Sequence, residues 1–246
     1  MIRLGLITVI LLCSALRAQA WTETQFAHIA GGCTSSPCVV ALTSTGANHF
    51  LGIALTANAF NTSLGSPPAG ACNVAWVHAP SMPVSSGATG NSLDAYYCLQ
   101  SVSGITSISQ PITISAGTAD VGVWEATPTL ALFALDTGAV RASSGTGSGC
   151  VSCAGVPLTL SGNSDFIIVL AGGTQQVTGL TGTGFTLDNS NLFGDCFGNG
   201  ITTGSLTAPA TWTMSASGNL VDYAIAFQET SSGGVTVVPR HPGGVF

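Results

Sequence analysis

The chain has 246 residues, of which 46% are hydrophobic and only 6% are charged, and its formal net charge is −6. It contains no lysine, and its basic residues are Arg3, Arg17, Arg141 and Arg240. Nucleic-acid binding needs clustered basic side chains, and intrinsic disorder needs low hydrophobicity with high net charge. The composition therefore excludes a basic nucleic-acid-binding protein and a disordered chain.

The first 20 residues predict a secretory signal peptide. A short basic start over 1–3 precedes an apolar run over 4–15, and the sequence Ala-Gln-Ala over 18–20 is the small-x-small pattern that precedes cleavage. The run is shorter than the roughly 20 residues that span a bilayer. We expect cleavage after Ala20, no membrane span, and a secreted protein that is extracellular or at the cell surface.

Short β-type segments separated by loops rich in Gly, Ser, Thr, Asn and Pro make up the rest of the chain. Some alternate apolar and polar residues, which indicates a strand with one buried face, and others are apolar on both faces. In chain order, strands are predicted over 39–43, 50–55, 74–78, 95–100, 112–115, 121–125, 129–135, 156–161, 166–170, 210–215 and 219–228. No amphipathic helix is predicted.

This pattern predicts an all-β fold, an antiparallel β-sandwich that is jelly-roll-like. No charged linker divides residues 21–229, which we interpret as one domain. Residues 230–246 are expected to form a flexible tail, because Ser-Ser-Gly-Gly over 231–234 opens it, and its segment 235–238 could add an edge strand.

Seven of the eight cysteines remain after the predicted cleavage, which removes Cys13. In an oxidising compartment the default is disulfides, although spacing alone does not fix their connectivity. The pairs favoured by spacing are Cys33 with Cys38, Cys72 with Cys98, and Cys150 with Cys153. Cys196 is left over, either buried or paired between chains. A redox or zinc site at 150–153 is disfavoured, because a loop and a strand follow it and no second ligand pair exists.

Five segments carry a resemblance to known proteins. They are Gly46-Ala47-Asn48-His49-Phe50-Leu51-Gly52-Ile53, Asp94-Ala95-Tyr96-Tyr97, Val123-Trp124-Glu125-Ala126, Leu135-Asp136 and Val221-Asp222-Tyr223-Ala224-Ile225-Ala226-Phe227. Through them, residues 22–229 resemble a loose group of secreted bacterial β-sandwich proteins. The resemblance implies a jelly-roll-like fold. The group has no settled activity, so no catalytic residue is carried over.

Carboxylates suggest two kinds of site. Glu125 is the best acid for a glycosidase, because it lies in an apolar stretch, and Asp120 and Asp136 are its possible partners. The closely spaced acids of jelly-roll glycosidases are absent, which favours a structural acid. The segment 188–195, Asp-Asn-Ser-Asn-Leu-Phe-Gly-Asp, is rich in oxygen ligands for calcium but lacks EF-hand spacing, so a turn is favoured.

Histidines and aromatic residues suggest two further sites. A scattered triad could use His28, His49 or His78, but there is no Gly-x-Ser-x-Gly motif, and His78 fits a structural strand histidine. Tyr96 and Tyr97 are adjacent, so one faces outward in a strand and gives a weak lectin signal. Trp124 is a further candidate for a sugar platform. Trp76 and Trp212 are also candidates, but packing in the core is favoured for both.

The sequence as a whole favours a non-enzymatic, secreted or cell-surface structural or adhesive protein. Sparse charge removes the repulsion that normally opposes association, and strand edges without lysine are prone to pairing. We expect self-association, or binding to extracellular matrix or glycan. A carbohydrate-binding module is the first alternative and an extracellular glycoside hydrolase the second. No catalytic residue, metal or cofactor is predicted.

Overall fold

The structure is a computed structural model that describes residues 21–29, 32–59, 61–114, 117–130, 132–143, 149–155, 157–160, 164–190, 195–203 and 210–230. The predicted signal peptide and the tail segment 235–238 lie outside these residues.

The regular secondary structure of the described residues consists of β-strands. In chain order they are β1 (Trp21–His28), β2 (Cys38–Ala41), β3 (Phe50–Ala57), β4 (Ser63–Leu64), β5 (Val77–His78), β6 (Val84–Ser86), β7 (Asn91–Cys98), β8 (Ser107–Gln110), β9 (Ile112–Thr113), β10 (Ala119–Pro128), β11 (Phe133–Ser143), β12 (Cys150–Ala154), β13 (Ser164–Gly173), β14 (Val177–Thr181), β15 (Phe185–Ser190), β16 (Asp195–Thr203), β17 (Thr211–Gly218) and β18 (Leu220–Glu229). Their pairings are antiparallel. The predicted all-β, antiparallel fold class is confirmed.

Two main sheets divide the chain between them. The first has the order β1-β10-β3-β7-β5, with β6 also paired to β7, and the second has the order β11-β18-β13-β16-β15. Strands before residue 129 build the first sheet, and strands after residue 132 build the second. The remaining sheets are β12-β17-β14, β2-β8 and β4-β9. The jelly-roll connectivity stays a prediction.

A shared core lies between the two main sheets. Trp21, Phe50 and Trp124 of the first sheet belong to the same buried cluster as Phe166 and Phe227 of the second. The rings of Phe50 and Phe227 have centroids 4.3 Å apart. Full burial of one such side chain contributes about 1.5–3 kcal/mol, so these aromatic contacts hold the sheets face to face.

Each main sheet also carries an apolar layer on its other face. Ile167 and Val169 of β13 share a buried cluster with Trp212 of the three-stranded sheet. Leu55 of β3 shares another with Val40 of the β2-β8 pair. Because both faces are covered, these central strands are apolar throughout, which explains the continuous apolar runs of the sequence.

The predicted buried strand over 129–135 is wrong in its first half. β10 ends at Pro128 and β11 begins only at Phe133, so Leu130 and Leu132 lie in the connection and are 43% and 51% exposed. Proline has no N–H to donate to a sheet ladder. The apolar residues that follow Pro128 therefore lie on the surface.

The strand predicted over 156–161 does not form at residues 157–160, which are the described part of that segment. Leu158 and Leu160 are nevertheless buried in the layer around Trp212. The alternation of apolar and polar residues thus predicts correctly that these two side chains are buried, although the backbone pairs with no neighbouring strand. In the predicted strand over 74–78, only Val77 and His78 are paired.

Three disulfides join the cysteine pairs favoured by spacing: Cys33–Cys38, Cys72–Cys98 and Cys150–Cys153. They are consistent with an extracellular location. The Cys196 thiol is fully buried, and its sulfur lies 3.8 Å from the carbonyl oxygen of Val177. A disulfide between two folded copies through Cys196 would therefore require local opening.

Candidate functional site

A groove of about 840 Å³ opens between the loop 47–49, the segment 74–77 and the connection 127–133. Six large hydrophobic side chains are exposed among the described residues, and four of these line the groove. They are Val74, Val77, Leu130 and Leu132, each between 40% and 51% exposed. A concentration of exposed apolar surface in one concave region is typical of a binding site.

The groove lies where edge strands of both main sheets meet. Val77 belongs to β5, at one edge of the first sheet, and Phe133 begins β11, at one edge of the second. The backbone N–H of Thr230 donates to the carbonyl oxygen of Leu132, at 2.9 Å. Thr230, the residue that follows β18, therefore lies beside the groove.

His49 is the titratable side chain of the groove lining. Its Nδ1 lies 2.6 Å from Oε1 of Glu125, a residue with no exposed surface, whereas the His49 side chain is 23% exposed. Glu125 also accepts hydrogen bonds from the Gly46 backbone N–H, at 2.8 Å, and from Nε2 of Gln25, at 2.5 Å. These three donors satisfy the buried carboxylate.

This arrangement fixes the orientation of the imidazole ring. With Nδ1 donating to Glu125, Nε2 is left to contact a ligand in the groove. The hydroxyl of Thr127 lies 3.4 Å from Nδ1 and 3.5 Å from Nε2, and it also contacts the hydroxyl of Thr24 at 2.7 Å. A nucleophile would lie at about 2.6–3.2 Å from one ring nitrogen. The Thr127 hydroxyl lies beyond this distance from both ring nitrogens.

The loop 46–49 is built to hold His49. The Ser101 hydroxyl donates to the carbonyl oxygen of Gly46, at 2.7 Å, and accepts from the N–H of His49, at 2.9 Å. A Cβ on Gly46 would lie 2.1 Å from Cε1 of His49, so only glycine leaves room for the ring. Asn48 has a φ of 60°, a left-handed conformation that asparagine tolerates.

A second histidine–carboxylate pair joins β5 to β7. His78 Nε2 is 2.6 Å from Oδ1 of Asp94, and Asp94 also accepts from the backbone N–H groups of Leu64 and Ala95. Burial raises the pKa of Asp94, and the hydrogen bond from His78 opposes this effect. The Tyr96 ring packs 4.6 Å from that of His78. This arrangement agrees with a structural strand histidine.

A third polar cluster joins the two main sheets. Nδ2 of Asn199 donates to Glu23, at 2.5 Å, and to Asp188, at 2.7 Å, while Nε1 of Trp124 donates to Asp188 at 2.7 Å. Burial raises the pKa of Asp188 to about 7 and also raises the pKa of Glu23. These contacts link β1 and β10 to β15 and β16.

The hydrogen bonds of Glu125 involve neither Asp120 nor Asp136, the partners suggested for a glycosidase. The hydrogen-bond partners of Glu125 are His49, Gln25 and Gly46. Asp136 instead lies within electrostatic reach of Asp165. In the segment weighed for calcium, Asp188 belongs to β15 and residues 191–194 lie outside the described ranges.

Most aromatic candidates for a sugar platform belong to the core. Trp124 and Trp212 are fully or almost fully buried, and Trp76 is partly buried against the cluster that contains Leu55. Tyr97 is 7% exposed, and Tyr96 donates its hydroxyl proton to the carbonyl oxygen of Gly65. The groove itself was missed by sequence reasoning. The available signal was the pair Leu130 and Leu132, which follow a strand-ending proline.

Within the described ranges, no three His, Cys, Asp or Glu side chains are grouped closely enough to hold a metal ion, and no helix has the length and hydrophobicity to cross a membrane. Comparison of the chain with protein-family models, curated proteins and solved structures gives no match. The resemblance to secreted β-sandwich proteins therefore stays a prediction.

Proposed function

We propose that this protein is a non-enzymatic, secreted assembly protein, and that its groove binds an apolar extended segment of a second copy of the chain. The observation that carries the proposal is the concentration of Val74, Val77, Leu130 and Leu132 in one groove. The three disulfides support the extracellular setting.

Edge strands give the incoming segment a backbone partner. β5 and β11 each lie at the edge of a main sheet, and both contribute to the groove. An extended segment that pairs with such an edge gains main-chain hydrogen bonds, and its alternate side chains enter apolar pockets.

The tail segment 235–238, Val-Thr-Val-Val, is the proposed occupant. It is apolar and β-branched, and it follows Thr230, which is bonded to the groove residue Leu132. The intervening linker, Ser-Ser-Gly-Gly, can span about 13 Å when extended. Exchange of tails between two copies would bury both grooves in a symmetric dimer.

Light scattering on the mature protein tests this proposal against a version that ends at Thr230, which keeps the bond to Leu132. We expect the full chain to associate and the shortened chain to remain monomeric. Because only 6% of residues are charged, the association should change little between low and high salt. A monomeric full chain under both conditions would contradict assembly, and the tail would then occupy its own groove or none.

Two point variants separate the groove from general surface hydrophobicity. Leu132→Ser should weaken association about tenfold or more, because one buried apolar side chain contributes about 1.5–3 kcal/mol. Val39→Ser is the matched control, since Val39 is 56% exposed and does not line the groove. If both variants weaken association equally, the groove is not the surface at which the copies associate.

The carbohydrate-binding and glycoside hydrolase alternatives have less support. A sugar platform requires an exposed aromatic face, whereas Trp124 and Trp212 are buried. A glycosidase requires two carboxylates on either side of a bound sugar, whereas Glu125 is paired with His49.

A further inference from the structure

The end of β18 holds the connection between β10 and β11. Glu229 is the last residue of β18 and is only 5% exposed, and Oε1 of its carboxylate accepts a hydrogen bond from the backbone N–H of Leu130, at 2.8 Å. The next residue, Thr230, donates its backbone N–H to the carbonyl oxygen of Leu132, at 2.9 Å. Two consecutive residues therefore fix the backbone of the connection at two points.

The same end of β18 also fixes the start of β11. Glu229 lies opposite Phe133 in the ladder between the two strands. Leu130, Leu132 and Phe133 all line the groove. One wall of the groove therefore takes its backbone position from Glu229 and Thr230.

This wall needs such support because its leucines face solvent. Leu130 and Leu132 are 43% and 51% exposed, and transfer of apolar surface out of water is favourable. A connection without fixed points would be free to turn these side chains away from the surface. An ionised carboxylate is a stronger acceptor for a backbone N–H than a neutral group. The bond from Leu130 to Glu229 therefore opposes that rearrangement.

We propose that Glu229 is a positioning residue of the groove, whose bond to Leu130 keeps the wall in the form that receives the tail segment of a second copy. This inference rests on the proposed function. The tail begins in sequence at Thr230, directly after Glu229. Loss of the chain from residue 229 onward would therefore remove the occupant and the support of the groove together.

Hydrogen exchange at the Leu130 amide tests the bond on the dilute, full-length mature protein. Glu229→Ala should speed this exchange about tenfold or more, the effect expected from loss of a hydrogen bond to a charged group. Glu229→Gln keeps an acceptor oxygen and should restore most of the protection. At higher concentration, light scattering should show association weakened by a similar factor in Glu229→Ala and largely restored in Glu229→Gln.

Ser92→Ala is the matched control for a general loss of stability. The buried Ser92 hydroxyl accepts from the Thr62 N–H, at 3.3 Å, and donates to the carbonyl oxygen of Ala59, at 2.8 Å. Ser92 lies near the start of β7, whereas the groove residues Leu99 and Gln100 follow the end of that strand. The variant should lower Tm and leave both Leu130 exchange and association unchanged.

The proposal fails if Glu229→Ala leaves Leu130 exchange unchanged, if Glu229→Gln exchanges as fast as Glu229→Ala, or if Glu229→Ala associates as strongly as the native chain. A native chain that stays monomeric while Leu130 exchange still follows Glu229 would refute the assembly and leave the bond to the connection established. The two failures are thus distinguishable.

Discussion

His49 Nδ1 and Glu125 Oε1 lie 2.6 Å apart, which joins a side chain of the groove to a carboxylate with no exposed surface. The pair gives the groove an imidazole of fixed orientation beside its exposed apolar side chains. An extended segment bound there would offer backbone N–H and C=O groups to the imidazole, so His49 can fix its register. The burial of Glu125 holds the ring in place.

Glu125→Gln should destabilise the fold. The amide has one acceptor oxygen and brings an NH₂ group toward three donors, those of Gly46, Gln25 and His49. Loss of hydrogen bonds to a buried charged group costs about 1.5–3 kcal/mol. Urea unfolding would measure this loss. A change below about 0.5 kcal/mol would show that the carboxylate does not organise this region.

Gly46→Ala should be more damaging than an alanine at another loop glycine. Its Cβ would lie 2.1 Å from Cε1 of His49, so the ring must leave its position beside Glu125. We expect a loss of about 1–3 kcal/mol, the usual cost of overpacking. Gly87→Ala is the matched control, because a Cβ there meets no atom within 4 Å. Similar unfolding midpoints for the two variants would argue against a tightly packed His49 ring.

Stability should fall as the pH rises toward neutrality, through Asp188. Its pKa is raised from 3.8 to about 7, chiefly by burial, so the folded state holds the proton more tightly than the unfolded state. This stabilisation is fully present below pH 3.8 and is lost as the pH passes 7. Asp188→Asn should flatten that decline, which is at most about 1.4 kcal/mol per pH unit for one group. An unchanged slope in unfolding experiments from acidic to neutral pH would exclude Asp188 as its source.

The Cys72–Cys98 disulfide should contribute the most stability of the three. Its cysteines are 26 residues apart, against 5 for Cys33–Cys38 and 3 for Cys150–Cys153. In the chain-entropy description a longer loop restricts the unfolded state more strongly, and removal of a native disulfide costs roughly 2–5 kcal/mol. Paired alanine variants of each disulfide, compared by thermal unfolding, would test the order. A larger loss at Cys150–Cys153 would reverse it.

The sequence predicts the strands better than it predicts the site. Alternation of apolar residues locates β18, and the continuous apolar runs locate β3 and β13, because those strands are covered on both faces. The site depends on contacts between distant residues. Glu125 meets His49 across a separation of 76 residues, and Asp188 meets Trp124 across 64. Local patterns carry no record of such pairs. They also predict Leu130 and Leu132 as buried, because a continuous apolar run does not show that the strand ends at Pro128.

The division of the two main sheets between the halves of the chain has a consequence for biogenesis. A ribosome delivers all strands of the first sheet before β13 or β18 exists, so the face bearing Phe50 and Trp124 has nothing to cover it during that interval. The same order makes a fragment that stops near residue 130 prone to aggregation, since its aromatic face would remain open to water.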